Sequence, residues 1–230
     1  MIEIYAAKLP KKIENEQFDK LILCLPEVKQ KRIKRFKYFQ DSLRTLLAEI
    51  LIRSIIQKRI KGKNEELIFN TNRYGKPFLE NIDNLYFNEA HSEEWVVCAV
   101  DCEPIGIDIE LIKQIDFSIA ERFFSKEEYK DLMSKDENEK LLYFFDLWTL
   151  KESYIKAVGK GLSIPLDSFT IRIHAGKIEF ENKNDFKICY FMQYNIDVNY
   201  KLSVCASNIA FPNNVVIKRF EDISMNILNK

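Results

Sequence analysis

Residues 95–110 read WVVCAVDCEPIGIDIE and contain two strand-like runs separated by a short polar break. The first run, Trp95–Asp101, is apolar until its last residue, which is typical of a strand in a protein core. The second run, Pro104–Glu110, alternates, so that isoleucines lie on one face and Asp108 and Glu110 on the other. The stretch predicts two strands, with two neighbouring carboxylates on the second.

These two carboxylates have two explanations. Side by side they repel each other unless water or a cation separates them. An edge strand with a solvated face would supply the water, and a Mg²⁺ site would supply the cation. The five residues from Gly106 to Glu110 leave both interpretations open.

A long helix predicted over Glu139–Val158 carries a third carboxylate. Its apolar residues recur every three or four positions, and Glu152 falls on the resulting stripe. A carboxylate buried there is costly unless it is paired or bound to a metal. Lys156, four residues on, allows an ordinary helical ion pair. If Glu152 instead faces Asp108 and Glu110, the three form a hard-cation site, and Lys156 points at an anion bridged by that cation.

The chain has the pattern of two similar halves. In each, a long amphipathic helix (near 41–60 in the first) leads to a glycine turn containing Gly-Lys and then to strands; WVVCAV at 95–100 resembles LSVCA at 202–206. We predict an α+β fold of two pseudo-repeated subdomains, 1–105 and 106–230, each a small sheet packed on a long helix, with the active site between them. Strands of the second half are predicted near residues 169–173, 177–180, 186–193, 200–207 and 215–219.

Charge is balanced overall and segregated locally. The 230 residues carry 35 Lys and Arg against 35 Asp and Glu, so the strongly basic field of a non-specific nucleic-acid binder is absent. Between Lys29 and Lys63 there are 12 basic and 2 acidic residues, and between Asp101 and Glu152 there are 14 acidic and 7 basic ones. Two solvated helix faces would explain these runs. A polyanion and a divalent cation would also suit them.

Composition excludes several other classes. A 47% hydrophobic content excludes a disordered chain, and no apolar run approaches the length of a membrane span. We therefore expect a cytoplasmic protein with no nucleic-acid or membrane partner. The five cysteines include no C-x-x-C pair, which indicates reduced thiols. Two histidines are too few for a His-rich metal site, so any metal should be oxygen-ligated, as Mg²⁺ is.

Two polar motifs each allow a structural and a functional interpretation. The segment Asn88-Glu89-Ala90-His91-Ser92 is predicted as a polar break before a strand, with His91 either solvent-exposed or donating to a phosphate. Ser125 and Glu128 fit a helix capping box. The same Glu128 could also act at the rim of the cleft.

Six segments, taken in order, resemble the 4′-phosphopantetheinyl transferases of the surfactin-synthetase-activating type: RTLLAEILIR, YGKPF, FNEAHSEEWVVCAV, GIDIE, RFFSKEEY and WTLKESYIKAVGKGLSIPLDSF. The resemblance covers residues 1–210, and GIDIE followed by W-x-x-K-E-x-x-x-K makes it specific. It implies an enzyme that transfers the 4′-phosphopantetheine arm of coenzyme A to a serine of an apo acyl or peptidyl carrier protein and releases 3′,5′-ADP. It also implies a requirement for Mg²⁺, with Mn²⁺ as an alternative, and a role in nonribosomal peptide, polyketide or fatty-acid synthesis.

The resemblance also implies roles for individual residues. The metal ligands would be Asp108, Glu110 and Glu152, and the catalytic residues Glu152, Lys156 and Glu128; the serine proton would go to one of the two glutamates or to a metal-linked water. Lys156, Lys29 and Arg32 would contact phosphates. The coenzyme A contacts together would be Lys29, Arg32, Arg44, Thr45, Tyr74, Gly75, Lys76, Pro77, Ala90, His91 and Lys156, with Arg44, Thr45 and His91 at the 3′-phosphate and residues 74–77 flanking the adenine.

Two positions depart from the family pattern. Ala90 stands where members often have serine, and Leu43 where some have histidine, so lower affinity for coenzyme A is expected. Two alternatives stay open: another Mg²⁺-dependent enzyme acting on a phosphoester, and a non-catalytic binder using Lys29–Lys63. The binder would not need Asp108, Glu110 and Glu152 to converge. Because both halves are in one chain, a monomer is expected.

Overall fold

The computed structural model describes residues 1–174, 176–182 and 189–228. The helices are α1 Asn15–Leu23, α2 Glu27–Lys34, α3 Phe39–Ile60, α4 Ser118–Phe123, α5 Lys126–Met133, α6 Glu137–Val158 and α7 Phe220–Leu228. The strands are β1 Glu3–Lys8, β2 Phe69–Thr71, β3 Pro77–Leu79, β4 Tyr86–Ser92, β5 Trp95–Asp101, β6 Ile105–Leu111, β7 Phe169–His174, β8 Lys177–Asn182, β9 Tyr190–Tyr194, β10 Tyr200–Ala206 and β11 Val216–Lys218.

Two sheets, each covered by one long helix, form the framework. The first has the strand order β11-β1-β5-β4 and packs on α3; the second has the order β6-β10-β9 and packs on α6. Both helices have 22 residues, and both end at a residue in the left-handed conformation, Lys61 and Gly159. The predicted α+β class, with a small sheet on a long helix in each half, is therefore confirmed.

The two sheets meet along β4 and β6. The Asn88 side-chain oxygen accepts a hydrogen bond from the Ile107 amide at 2.8 Å, and Ser92 Oγ accepts one from the Leu111 amide at 3.0 Å. Behind this seam, one hydrophobic core is shared by both sheets, including Ile4 from the first and Ile107 from the second. The seam aligns β4 with β6 and so brings the predicted site residues of the two strands into neighbouring positions.

The C-terminal segment returns to the first half. Strand β11 pairs in parallel with β1, and α7 packs on α3. Three buried side chains of α7, including Phe220 and Ile223, belong to the core under α3. The last two elements of the predicted second half, 106–230, therefore pack on the first half. Strand β11 extends the first sheet, and α7 covers apolar surface on α3.

Local predictions differ from the structure in three places. The segment Asn88–Ser92, predicted as a polar break, is the end of strand β4, because two of its polar side chains bond across the seam. Strand β3 and helices α1 and α7 were not predicted from the sequence. The strand predicted near 186–193 is found at Tyr190–Tyr194, and residues 186–188 lie outside the described residues.

We expect Gly106→Ala to lower the free energy of unfolding by about 3 kcal/mol or more, because an added Cβ would stand 2.0 Å from the Ser153 carbonyl oxygen. Gly161→Ala is the control. Its Cβ would meet nothing within 4 Å, and its φ of +53° costs only roughly 1–2 kcal/mol. Urea denaturation of both variants measures the difference. A Gly106 variant no less stable than the Gly161 variant would contradict this close packing.

Candidate functional site

The acidic side of the cleft is built from β6 and α6. Gly106, Asp108 and Glu110 alternate onto the face of β6 that meets α6, and the glycine lets the helix backbone approach. Lys156 Nζ therefore lies 2.6 Å from Asp108 Oδ1. Glu152, one turn earlier on α6, is close enough to interact electrostatically with both.

Negative charge exceeds positive charge in this region. Burial raises the pKa of Asp108, although Lys156 opposes the shift. Burial, followed by repulsion from Asp108, raises the pKa of Glu110 to about 7, and the same two causes raise the pKa of Glu152. Asp108 Oδ2 is buried and has no hydrogen-bond partner. The three carboxylates thus share Lys156, Lys113 also acts on Glu110, and one buried acceptor of Asp108 is unused.

The predicted metal ligands are near one another but do not form a ready coordination sphere. Within residues 1–174, 176–182 and 189–228, no group of three His, Cys, Asp or Glu side chains is arranged to hold a metal ion. Lys156 instead supplies the positive charge beside Asp108. The donor set itself, carboxylates with an unpaired buried oxygen, fits a hard divalent cation.

A basic group faces this site from the first half. Desolvation, followed by the positive charges of Arg44 and Lys156, lowers the pKa of His91, although part of its side chain is exposed to solvent. Arg44 is oriented by hydrogen bonds from Nη1 to Asp41 at 2.8 Å and from Nε to the Glu93 carbonyl at 2.8 Å. Positive charge is therefore present near His91, and its use by a phosphate stays a prediction.

Neighbours of these residues differ in exposure. Thr45 is half-buried on α3. Ala90 alternates with His91 on β4 and belongs to the core shared by the two sheets. Its side chain therefore faces away from the cleft, and only its main chain is available to a ligand there. Leu43 is also buried.

Lys29 is part of a second charged cluster that sequence reasoning missed. Its ammonium is ion-paired with Glu49, which also lies 3.8 Å from Arg53 Nε. Glu89 of β4 joins them with its Oε2 buried and without a hydrogen bond. Burial and then repulsion from Glu49 raise the pKa of Glu89 to about 7, while Lys29, Arg32 and Arg53 lower it. The signal that could have revealed this cluster was Glu89, an acidic residue on the same face of β4 as the buried Phe87.

The YGKP segment forms the tip and return strand of the β2–β3 hairpin. Gly75 has a φ of +88°, which the tight turn requires, and Tyr74 is exposed. Pro77 borders a cavity of about 620 Å³ that lies between the halves, with Phe87 on one side and Val158 on the other. Lys76 Nζ is bonded to main-chain carbonyls of β6 and of the end of α6.

Glu128 has a structural role. Ser125 and Glu128 form the predicted capping box, which is confirmed. The carboxylate is fully buried and lies 2.7 Å from Lys151 Nζ, and it also accepts from the Ile171 amide at 2.7 Å. Both its oxygens are used inside the second core, so the side chain does not reach the rim of the cleft, contrary to the catalytic role predicted for it.

Comparison with known proteins gives matches over most of the chain. Residues 104–205 match the family model "4′-phosphopantetheinyl transferase superfamily", and residues 12–103 match "4′-phosphopantetheinyl transferase, N-terminal". The chain is 40% identical over 223 residues to 4′-phosphopantetheinyl transferase Sfp of Bacillus subtilis (strain 168), covering 96% of this chain and 100% of that protein. It is 40% identical over 206 residues to 4′-phosphopantetheinyl transferase gsp of Aneurinibacillus migulanus, covering 90% and 86%.

Among solved structures, a holo-(acyl-carrier-protein) synthase from Bacillus anthracis, in complex with CoA (3′,5′-ADP), matches with a TM-score of 0.40 and 19% identity. This match covers 45% of the present chain and 93% of the synthase.

We expect Glu89→Gln to stabilise the protein more at pH 8 than at pH 5. A raised pKa means that the folded state binds more protons than the unfolded state, so stability is lost as pH rises from about 4.5 to about 7. Glutamine removes this loss, and the gain in unfolding free energy at pH 8 should be on the order of 1–3 kcal/mol. Exposed Glu94→Gln is the control. A Glu89→Gln effect that is equal at both pH values would show that Glu89 does not titrate in this range.

Proposed function

The chain belongs to the 4′-phosphopantetheinyl transferase superfamily, and we propose that the cleft between its halves binds coenzyme A and passes its 4′-phosphopantetheine arm to a serine of an apo carrier protein. Relatives of this activity are 40% identical over nearly the whole chain. The alternatives of an unrelated phosphoester enzyme and a non-catalytic binder are therefore set aside.

One observation carries the assignment of the site. Buried Asp108 bonds to Lys156 and has half-buried Glu110 and Glu152 near it, while the charges of Lys156 and Arg44 both act on His91. Coenzyme A with a bound cation complements both sets of charges at once, because the cation would neutralise the acids, the pyrophosphate would pair with Lys156, and the 3′-phosphate would pair with Arg44 and His91. Neither the cation alone nor the phosphates alone would neutralise both the acidic and the basic side chains.

The cation that fits the acidic group is Mg²⁺, with Mn²⁺ as an alternative. Asp108, Glu110 and Glu152 would hold it, and the orphan Oδ2 of Asp108 is the acceptor that supports this choice. When bound, such an ion neutralises charge on the phosphate oxygens during transfer.

The remaining steps fall to the protein's own side chains. Lys156 moves from Asp108 to the pyrophosphate and stabilises charge there. Glu152 accepts the proton of the carrier serine. The serine oxygen then bonds to phosphorus as 3′,5′-ADP departs.

Binding of the nucleotide part uses the first half. Arg44, Thr45 and His91 meet the 3′-phosphate, and the main chain of residues 74–77 flanks the adenine beside the cavity. Lys29 and Arg32 add positive charge, although Glu49 and Glu89 compete for Lys29. This competition, rather than the Ala90 side chain, is our reason to expect lower affinity for coenzyme A.

The setting of the reaction follows from its substrates. Carrier domains of nonribosomal peptide, polyketide or fatty-acid synthesis are the proposed partners. We place the enzyme in the cytoplasm as a monomer, since one chain supplies both sides of the cleft and no disulfide is formed among the residues that the structure describes. No helix among the residues that the structure describes is long and apolar enough to cross a membrane.

The test is incubation of the protein with coenzyme A, Mg²⁺ and several apo carrier proteins, followed by intact mass spectrometry. We expect a phosphopantetheine adduct on at least one carrier serine. Absence of the adduct from every carrier tested would overturn the proposal.

Asp108→Asn should lower kcat/KM for transfer by about 100-fold or more, because it removes a charge that the cation and Lys156 both use. Exposed Glu121→Gln, from the same acidic region, should leave the rate unchanged. Circular dichroism and thermal unfolding check that both variants fold. Near-normal transfer by the Asp108 variant would exclude this residue from the metal and phosphate site.

A further inference from the structure

We propose that Lys76 is a positioning residue, whose ammonium group clamps the last turn of α6 and the start of β6 to the β2–β3 hairpin and thereby holds Lys156 and Glu152 in the cleft. The inference rests on the proposed roles of those two residues. Lys76 Nζ donates to the Lys156 carbonyl at 2.6 Å and to the carbonyls of Ala157 and Ile105 at 3.1 Å each.

The number of bonds matches the chemistry of the group. An ammonium has three protons and no acceptor, and three carbonyl oxygens take all of them. Burial lowers the pKa of Lys76 to about 8, so the group is still protonated at pH 7 and can make all three bonds. The ammonium is thereby fully used within the protein and is not free to contact a ligand.

The clamp acts where a helix needs partners. Helix α6 ends at Val158, so the carbonyls of Lys156 and Ala157 have no acceptor role within the helix, and a cation there is also favoured by the helix dipole. In most helices a basic residue of the last turn or solvent fills this role. Here the cation comes from the other half of the molecule.

Asn72 strengthens the same connection. Its Nδ2 donates to the Gly159 carbonyl at 2.8 Å, while its Oδ1 accepts from the amides of Tyr74 and Lys76. The hairpin turn that presents Lys76 is therefore tied to the end of α6 by a second bond. Gly159 leaves room for the lysine stem, since a Cβ at this position would lie 2.9 Å from Lys76 Cδ.

The clamp bears directly on the reacting groups. Lys156 is held at its carbonyl by Lys76 and at its ammonium by Asp108, and Glu152 lies one turn earlier on the same helix. Loss of the clamp would free the last turn of α6, and small displacements of catalytic groups reduce rates strongly. Of the residues predicted to flank adenine, Lys76 would then contribute its main chain only.

The experiment compares Lys76→Met, which keeps the length of the side chain and removes its donors, with Lys58→Met, which alters an exposed lysine in the last turn of α3. We expect Lys76→Met to lower kcat by about 10-fold or more while the Kd for coenzyme A changes by less than about 3-fold. Lys58→Met should match the wild type. If Lys76 instead contacted the nucleotide, Lys76→Met would raise the Kd for coenzyme A by more than about 3-fold, and this result would overturn the proposal.

A double-mutant cycle tests whether Lys76 acts through Lys156. Once Lys156→Met has removed the reacting ammonium, adding Lys76→Met should lower kcat by a smaller factor than it does in the wild type, because only the positioning of Glu152 is then left to lose. Fully multiplicative effects would overturn positioning through Lys156. Amide hydrogen exchange of the peptide that contains the C-terminal turn of α6, measured by mass spectrometry, should be faster in Lys76→Met than in the wild type. This readout does not depend on transfer.

The exchange measurement and a second variant keep the clamp testable if transfer or folding fails. If the wild-type protein transferred to no carrier, the proposed function would fail, and the exchange comparison would still decide the clamp. If Lys76→Met did not fold, Lys76→Gln would replace it, because its shorter, uncharged amide offers two donors in place of the three that the carbonyls use. Unchanged kcat and unchanged exchange in the folded variant would overturn the clamp.

Discussion

Helix α6 lies so close to β6 that a carbon added to Gly106 would stand 2.0 Å from the Ser153 carbonyl oxygen. This approach brings Lys156 within hydrogen-bond distance of Asp108 and brings Glu152 into the same group. It also brings the end of α6 within reach of Lys76 on the other half. The geometry of the cleft therefore depends on one position that tolerates no side chain.

Electrostatics explains why the site should take two ligands of opposite charge. Asp108, Glu110 and Glu152 share Lys156, and buried carboxylates without enough partners raise their pKa values. In the function that we propose, a cation would relieve this repulsion, and a polyphosphate bound to it would pair with Lys156. The same principle operates at Glu89, whose repulsion with Glu49 is balanced by cations that a phosphate would also use.

Prediction from sequence succeeded where the signal is local. The long helices, the strands Trp95–Asp101 and Ile105–Leu111, and the capping box at Ser125 follow from periodicity and from short-range hydrogen bonds. It failed for Asn88–Ser92, where polar side chains indicated a break. Those side chains accept hydrogen bonds from amides of β6. The local sequence pattern around Asn88–Ser92 does not reveal a partner that lies in a distant segment.

Alternation and helical spacing fix which way side chains point, and they were enough to predict the two helix-and-sheet halves, the shared face of Asp108 and Glu110, and the position of Glu152 on α6. The contacts of the charged side chains depend on the folded structure. It paired Lys156 with Asp108, buried Glu128 against Lys151, and turned the ammonium of Lys76 to three carbonyls of β6 and α6. The physical reason is that a charged side chain takes its role from the groups that surround it after burial, and those groups are brought together only by the packing of distant segments.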